Sequence, residues 1–104
     1  MSTTGQRLQL QTLLEELLGS NQVYFQPPAT VQMQYPCIVY ARDNAKTEFA
    51  GNNPYTYNKR YMVTVIDRNP DSEIPDKVAK LPTCRLNRIY TANNLHHDVF
   101  NLYF

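Results

Sequence analysis

The chain has no tryptophan, only three glycines and two cysteines, and almost no excess of charge of either sign. Each shortage excludes something. Gly5, Gly19 and Gly51 stand singly, so no glycine-rich loop of the usual forms can cradle a phosphate. Ten basic residues oppose nine acidic ones, and the longest basic run is Lys59-Arg60. The basic stripe of a nucleic-acid binder is therefore missing. Cys37 and Cys84 are too few for a disulfide framework, and in a reducing compartment they read as unbridged small hydrophobes. No apolar run approaches the roughly 18 residues of a membrane span. The polar start, Met1 to Arg7, lacks the charged-then-apolar order of a secretory leader. The expectation is synthesis in the cytoplasm, with no membrane and no cofactor.

Aromatic side chains are plentiful: eight tyrosines and four phenylalanines in 104 residues. Most fall in strand-like segments. Tyrosine pairs an apolar ring with a polar tip and suits half-exposed sheet faces and protein interfaces. The length predicts a single domain, residues 1–104, small enough that oligomerisation is a natural way to complete burial.

Along the chain, Leu10, Leu13, Leu14, Leu17 and Leu18 form one apolar stripe at helical spacing, predicting a helix over 3–19. Thr3 or Thr4 can cap its start, Gly19 suits its C-terminal end, and Arg7, Gln9, Gln11, Glu15 and Glu16 make its wet side. Val23 to Phe25 is a short extended segment. Tyr35 to Tyr40 is a continuous apolar strand bounded by Asp43-Asn44. Residues 44–58 hold turn chemistry (Asn44, Gly51, Asn52, Asn53, Pro54) between extended pieces, and read as a hairpin arm. Lys59 to Asp67 alternates Tyr61, Val63 and Val65 with Arg60, Met62 and Thr64, the clearest strand of the chain. A short helix over 73–80 follows, with Ile74, Val78 and Leu81 as its stripe and Asp71 and Glu73 as capping residues. Two strands close the chain: 84–91, with Leu86 and Arg88 on one side and Arg85, Asn87 and Ile89 on the other, and 95–104 after a turn at 92–94. The order α-β-β-arm-β-α-β-β predicts an α+β two-layer sandwich with a mainly antiparallel sheet.

Each candidate for chemistry has a plainer reading. His96-His97-Asp98 is the most tempting, but adjacent strand residues point to opposite faces, and no further ligand lies at metal spacing from His96 and Asp98. Cys37 sits among Ile38 and Val39, without the electropositive setting of a reactive thiol; Cys84 has only Arg85 beside it. The carboxylates read as solvated or helix-capping, with no apolar pocket to retune them. The expectation is no catalytic residue, no metal and no enzyme. What remains is the arm, where Phe49, Tyr55 and Tyr57, with Lys59 and Arg60 at the base, are the candidate interface.

Taken together, the leading amphipathic helix, the Tyr35-Pro36-Cys37-Ile38-Val39-Tyr40 strand, the Tyr61 to Asp67 strand with Pro70-Asp71-Ser72 and its short helix, and the final Asn94 to Phe104 strand resemble the tail terminator (tail-completion) proteins of long-tailed bacteriophages. That resemblance covers nearly the whole chain and rests on order and spacing, not on a catalytic motif. It implies a ring, usually a homohexamer, in the virion at the head-proximal end of the tail. Such a ring caps the major tail tube protein, stops its polymerisation and offers a surface to the head-tail neck proteins. DNA passes through it without specific recognition. A neck adaptor or stopper, a small non-enzymatic protein-binding module using its edge strands, and an enzyme built on His96, Asp98 and Cys84 are the other readings.

Overall fold

The computed structural model describes residues 5–27, 32–51 and 53–104, without the side chains of 5–6, 46–50 and 53–58. Helix α1 spans Gly5–Leu18 and helix α2 Ile74–Ala79; the strands are β1 Val23–Phe25, β2 Cys37–Ala50, β3 Asn53–Asp67, β4 Cys84–Ala92 and β5 Leu95–Tyr103. They form one sheet in the order β1-β2-β3-β5-β4, with only β1 and β2 parallel. This is the expected α+β arrangement of two helices and a mostly antiparallel sheet.

The leucine stripe does what its spacing requires. Leu10 and Leu14 are fully buried, while Leu13, Leu17 and Leu18 pack at the rim of the same core. Each buried leucine contributes roughly 1.5–3 kcal/mol by removing its surface from water. Gly19 ends the helix at φ +79°, where its N–H donates to the Glu15 carbonyl at 2.9 Å. A side chain at this φ would be strained, which is why glycine stands there. Thr3 and Thr4, the expected caps, lie outside the described residues.

Register assigns the faces, because paired residues share a side of the sheet. Phe25, Tyr40, Val63, Phe100 and Leu86 form one row, and Val23, Ile38, Val65, Asp98 and Ile89 the next. Both helices pack on this side: Leu10, Leu14 and Val78 share a core with Val23, Ile38, Tyr40, Tyr61, Val63, Val65, Phe100 and Leu102. The opposite side carries Val39, Thr64, Val99 and Arg88, and beside them Cys37, Ile66, His97 and Tyr90.

Gln11 departs from its expected place on the wet side of α1. Its amide donates to the Val23 carbonyl at 3.0 Å and accepts from the Tyr40 hydroxyl at 2.5 Å. It thereby satisfies the polar tip of a ring that is otherwise wholly buried. Arg7 donates to the same hydroxyl at 3.5 Å and lies over the Phe25 ring. A glutamine is not marked by hydrophobicity, so only packing reveals this role.

Three further differences have physical causes. Asp43-Asn44 does not end the strand; it marks a bulge between Arg42 and Asn44, and β2 runs on to Ala50. Glu73 makes no side-chain cap, and Ser72 accepts the Ile74 N–H at 3.3 Å instead. Asp71 is part of the preceding turn, where its N–H donates to Asn69. In β4 a bulge between Leu86 and Arg88 breaks the alternation. Leu86 pairs with Phe100 and Arg88 with Val99, so those two point to opposite sides.

Candidate functional site

The arm is the continuation of β2 and β3 beyond the rest of the sheet. On one side β1 accompanies β2 only from Ile38 to Tyr40; on the other, β5 accompanies β3 only as far as Arg60, opposite Tyr103. Past those points, among the described residues, β2 and β3 pair with each other alone, from Ala45 opposite Lys59 to Ala50 opposite Asn53. The turn is made through Gly51 at φ +61°. At about 3.3 Å per residue, this two-stranded extension reaches roughly 20 Å. It accounts for a molecule 51 Å long against 27 and 24 Å across.

Thr47 pairs with Tyr57, and Phe49 with Pro54 after a second bulge that leaves Tyr55 unopposed. The backbones of Phe49, Tyr55 and Tyr57 thus lie in the arm, and their side chains lie outside the described residues. Lys59 and Arg60 stand at the base. The Lys59 carbonyl accepts from the Phe104 N–H at 3.0 Å. The Arg60 guanidinium grips Asp43 with two bonds, Nε to Oδ1 at 3.0 Å and Nη2 to Oδ2 at 3.2 Å. That carboxylate, more than any other neighbour, raises the Arg60 pKa. Because Asp43 is the extra residue of the first bulge, the pair spans the point where the arm leaves the body. Bulges bend a strand and increase its twist, so Arg60 fixes the arm's departure and is engaged within its own chain.

Among the described residues, clefts lie at two places beside the sheet. One, of about 370 Å³, is lined by Asp67, Asp71, Asp76, His96 and Asp98 around Pro70 and Pro75. Burial, then the Asp76 charge, raises the Asp98 pKa, against the opposing pull of His96 and His97. His96 and Asp98 share a side of the strand, as expected, while His97 faces the other way and stacks on Tyr90 at 4.5 Å between ring centres. Among the described residues, no group of three histidine, cysteine or acidic side chains is arranged to hold a metal ion. The other cleft, of about 400 Å³, is lined by Arg60, Thr83, Cys84, Arg85, Asn101 and Tyr103. Cys84 is half-buried there and Cys37 is fully buried, both as free thiols. Burial, with a smaller push from Asp67, raises the Cys37 thiol to about 11, so it stays protonated at neutral pH.

No family model and no curated protein sequence matches the chain. Among the described residues, no helix is long and apolar enough to cross a membrane.

The residue pattern predicts the β4 strand but does not mark it as an exposed edge. All residues from Arg85 to Thr91 are exposed, including Leu86 (47%), Ile89 (62%) and Tyr90 (39%). The available signal was its mixture of Arg85, Asn87, Arg88 and Thr91 with three large apolar residues, a pattern with no clean buried face.

Proposed function

We propose that this protein is a structural subunit of a bacteriophage virion, a ring-forming tail terminator. It caps the tail tube, stops its polymerisation and presents a surface to the neck proteins. The observation that carries this reading is the arm. A chain of 104 residues extends its central hairpin beyond the neighbouring strands β1 and β5. An isolated two-stranded hairpin is marginal in water, so such an extension fits a partner that completes its burial. The reading rests besides on the sequence resemblance to tail terminators described above.

In this reading the arm, with Phe49, Tyr55 and Tyr57, reaches a neighbouring subunit or the tube, and Arg60 with Asp43 sets its angle. The ring encloses a passage for DNA and recognises no base sequence. A neck adaptor would share the ring but would not cap tubes. The exposed β4 edge favours one other reading, a monomeric module that adds a peptide strand to its sheet.

Light scattering and negative-stain imaging of the purified chain, followed by addition to polymerising tail tube protein, separate these. A closed ring that halts tube growth at one end is expected. A single-chain mass at every concentration would sink the ring, and a ring that leaves tube length unchanged would favour the adaptor.

A further inference from the structure

We propose that the outer edge of β4 pairs with the outer half of β2 in a second copy of this chain. The inference rests on the ring reading and names the surface through which the ring would be built.

β4 ends the sheet, with β5 on one side and no strand among the described residues on the other. Its outer backbone groups therefore form a template for another strand. The usual protections are thin: nine residues contain no proline and no lysine, leaving Arg85, Arg88 and the bulge at Asn87. Leu86 and Ile89 add exposed apolar surface on the side of the sheet that packs against the helices.

Charge decides between two copies of β4 and a different edge. β4 carries arginines and no acid. Centred antiparallel pairing of β4 with itself sets Arg88 against Arg88, and like charges directly opposite one another destabilise a ladder. The chain offers another open edge. β1 covers β2 only from Ile38 to Tyr40, and among the described residues no strand lies outside β2 from Asp43 onward. That stretch holds two acids, Glu48 and the Arg60-bound Asp43, and one base, Lys46, a balance of the sign that β4 lacks.

Direction agrees. β3 is antiparallel to β2, β5 to β3 and β4 to β5, so β4 runs antiparallel to β2. Continuing the sheet into a second copy in the same orientation sets β4 against β2 as an antiparallel pair. The two edges differ, so each copy keeps one open for the next, and the contact closes into a ring when the rotation per subunit divides the circle. Pairing of β4 with itself would stop at a dimer.

Light scattering on the full chain tests this with Leu86→Lys and Ile89→Lys combined. Both residues are exposed, and circular dichroism reports whether the fold is kept. The expected result is complete loss of the ring mass, leaving a folded single chain. An unchanged ring mass would overturn the β4 contact while leaving the ring reading standing; a wild-type chain that is always single would overturn both. As a second measurement, Ile89→Cys and Ala45→Cys chains, each with Cys84→Ser, are mixed and treated with a short bis-maleimide. Cross-links between the two populations are expected. Cross-linking of Ile89→Cys chains to one another, or none in the mixture, would overturn the pairing even if the lysine variant fails to fold.

Discussion

The inner half of the β2–β3 hairpin, 37–44 with 60–67, and the outer half, 45–50 with 53–59, belong to one continuous ladder held by different forces. The inner half has strands on both sides and helices against its core face, with Tyr40, Tyr61 and Val63 essentially without exposed surface. Beyond Lys59, whose carbonyl accepts from the Phe104 N–H, the outer half pairs only within its own ladder among the described residues. Stability in small domains comes mainly from buried apolar surface, and segments that bind partners are drawn from the less stable parts. The comparison therefore separates two parts of one pair of strands: the inner half holds the fold, and the outer half is the part that the proposed function gives to a partner.

The largest expected effect comes from deleting 102–104. That removes Leu102 from the core, together with the bonds from Phe104 N–H to the Lys59 carbonyl and from Tyr103 N–H to the Thr83 carbonyl. The cooperative thermal transition followed by circular dichroism should disappear; its survival would mean that the body does not depend on the end of β5. Next, Phe100→Ala should cost about 3–5 kcal/mol in urea unfolding, as a large side chain leaves a closed core. A cost below about 1 kcal/mol would break the distinction, because stability would then lie outside the inner half.

Asp98 is expected to act more weakly and with pH. Burial raises its pKa in the folded state. Its contribution is therefore favourable below the ordinary aspartate range and is lost as pH rises through the folded-state value. Asp98→Asn should raise the urea midpoint at neutral pH and leave it unchanged below about pH 3, under the ordinary aspartate pKa of about 3.9. An equal shift at both pH values would show that charge is not the cause. The smallest effect on stability should come from Phe49→Ser, Tyr55→Ser and Tyr57→Ser together. The unfolding free energy should move by no more than about 0.5 kcal/mol, while ring formation or tube capping falls. Loss of the fold would place those rings in the core and merge the two halves.

Much of this division could be read from residue patterns. The leucine stripe located α1, the Tyr61-Val63-Val65 alternation located the core face of β3, and Asn93-Asn94 marked the last turn, where both residues adopt positive φ. Two-residue hairpins of that type ask for such residues. The bulges at Asp43 and Asn87 were not legible. Aspartate and asparagine are ordinary turn formers, and whether they end a strand or kink it depends on the partner strand beside them. Gln11 was hidden for a similar reason, since its value lies in a carbonyl and a hydroxyl supplied by distant residues.

The amino-acid sequence by itself determined the element types, their order and the α+β class, because these follow from side-chain periodicity and turn chemistry close by in the chain. Tertiary structure decided how far β2 and β3 outrun their neighbours, that Arg60 is tied to Asp43 at the arm's base, and that β4 is the last strand of the sheet among the described residues. Those features depend on which strands end beside which. Strand order and register are set by burial of the whole sheet, and no local pattern contains them.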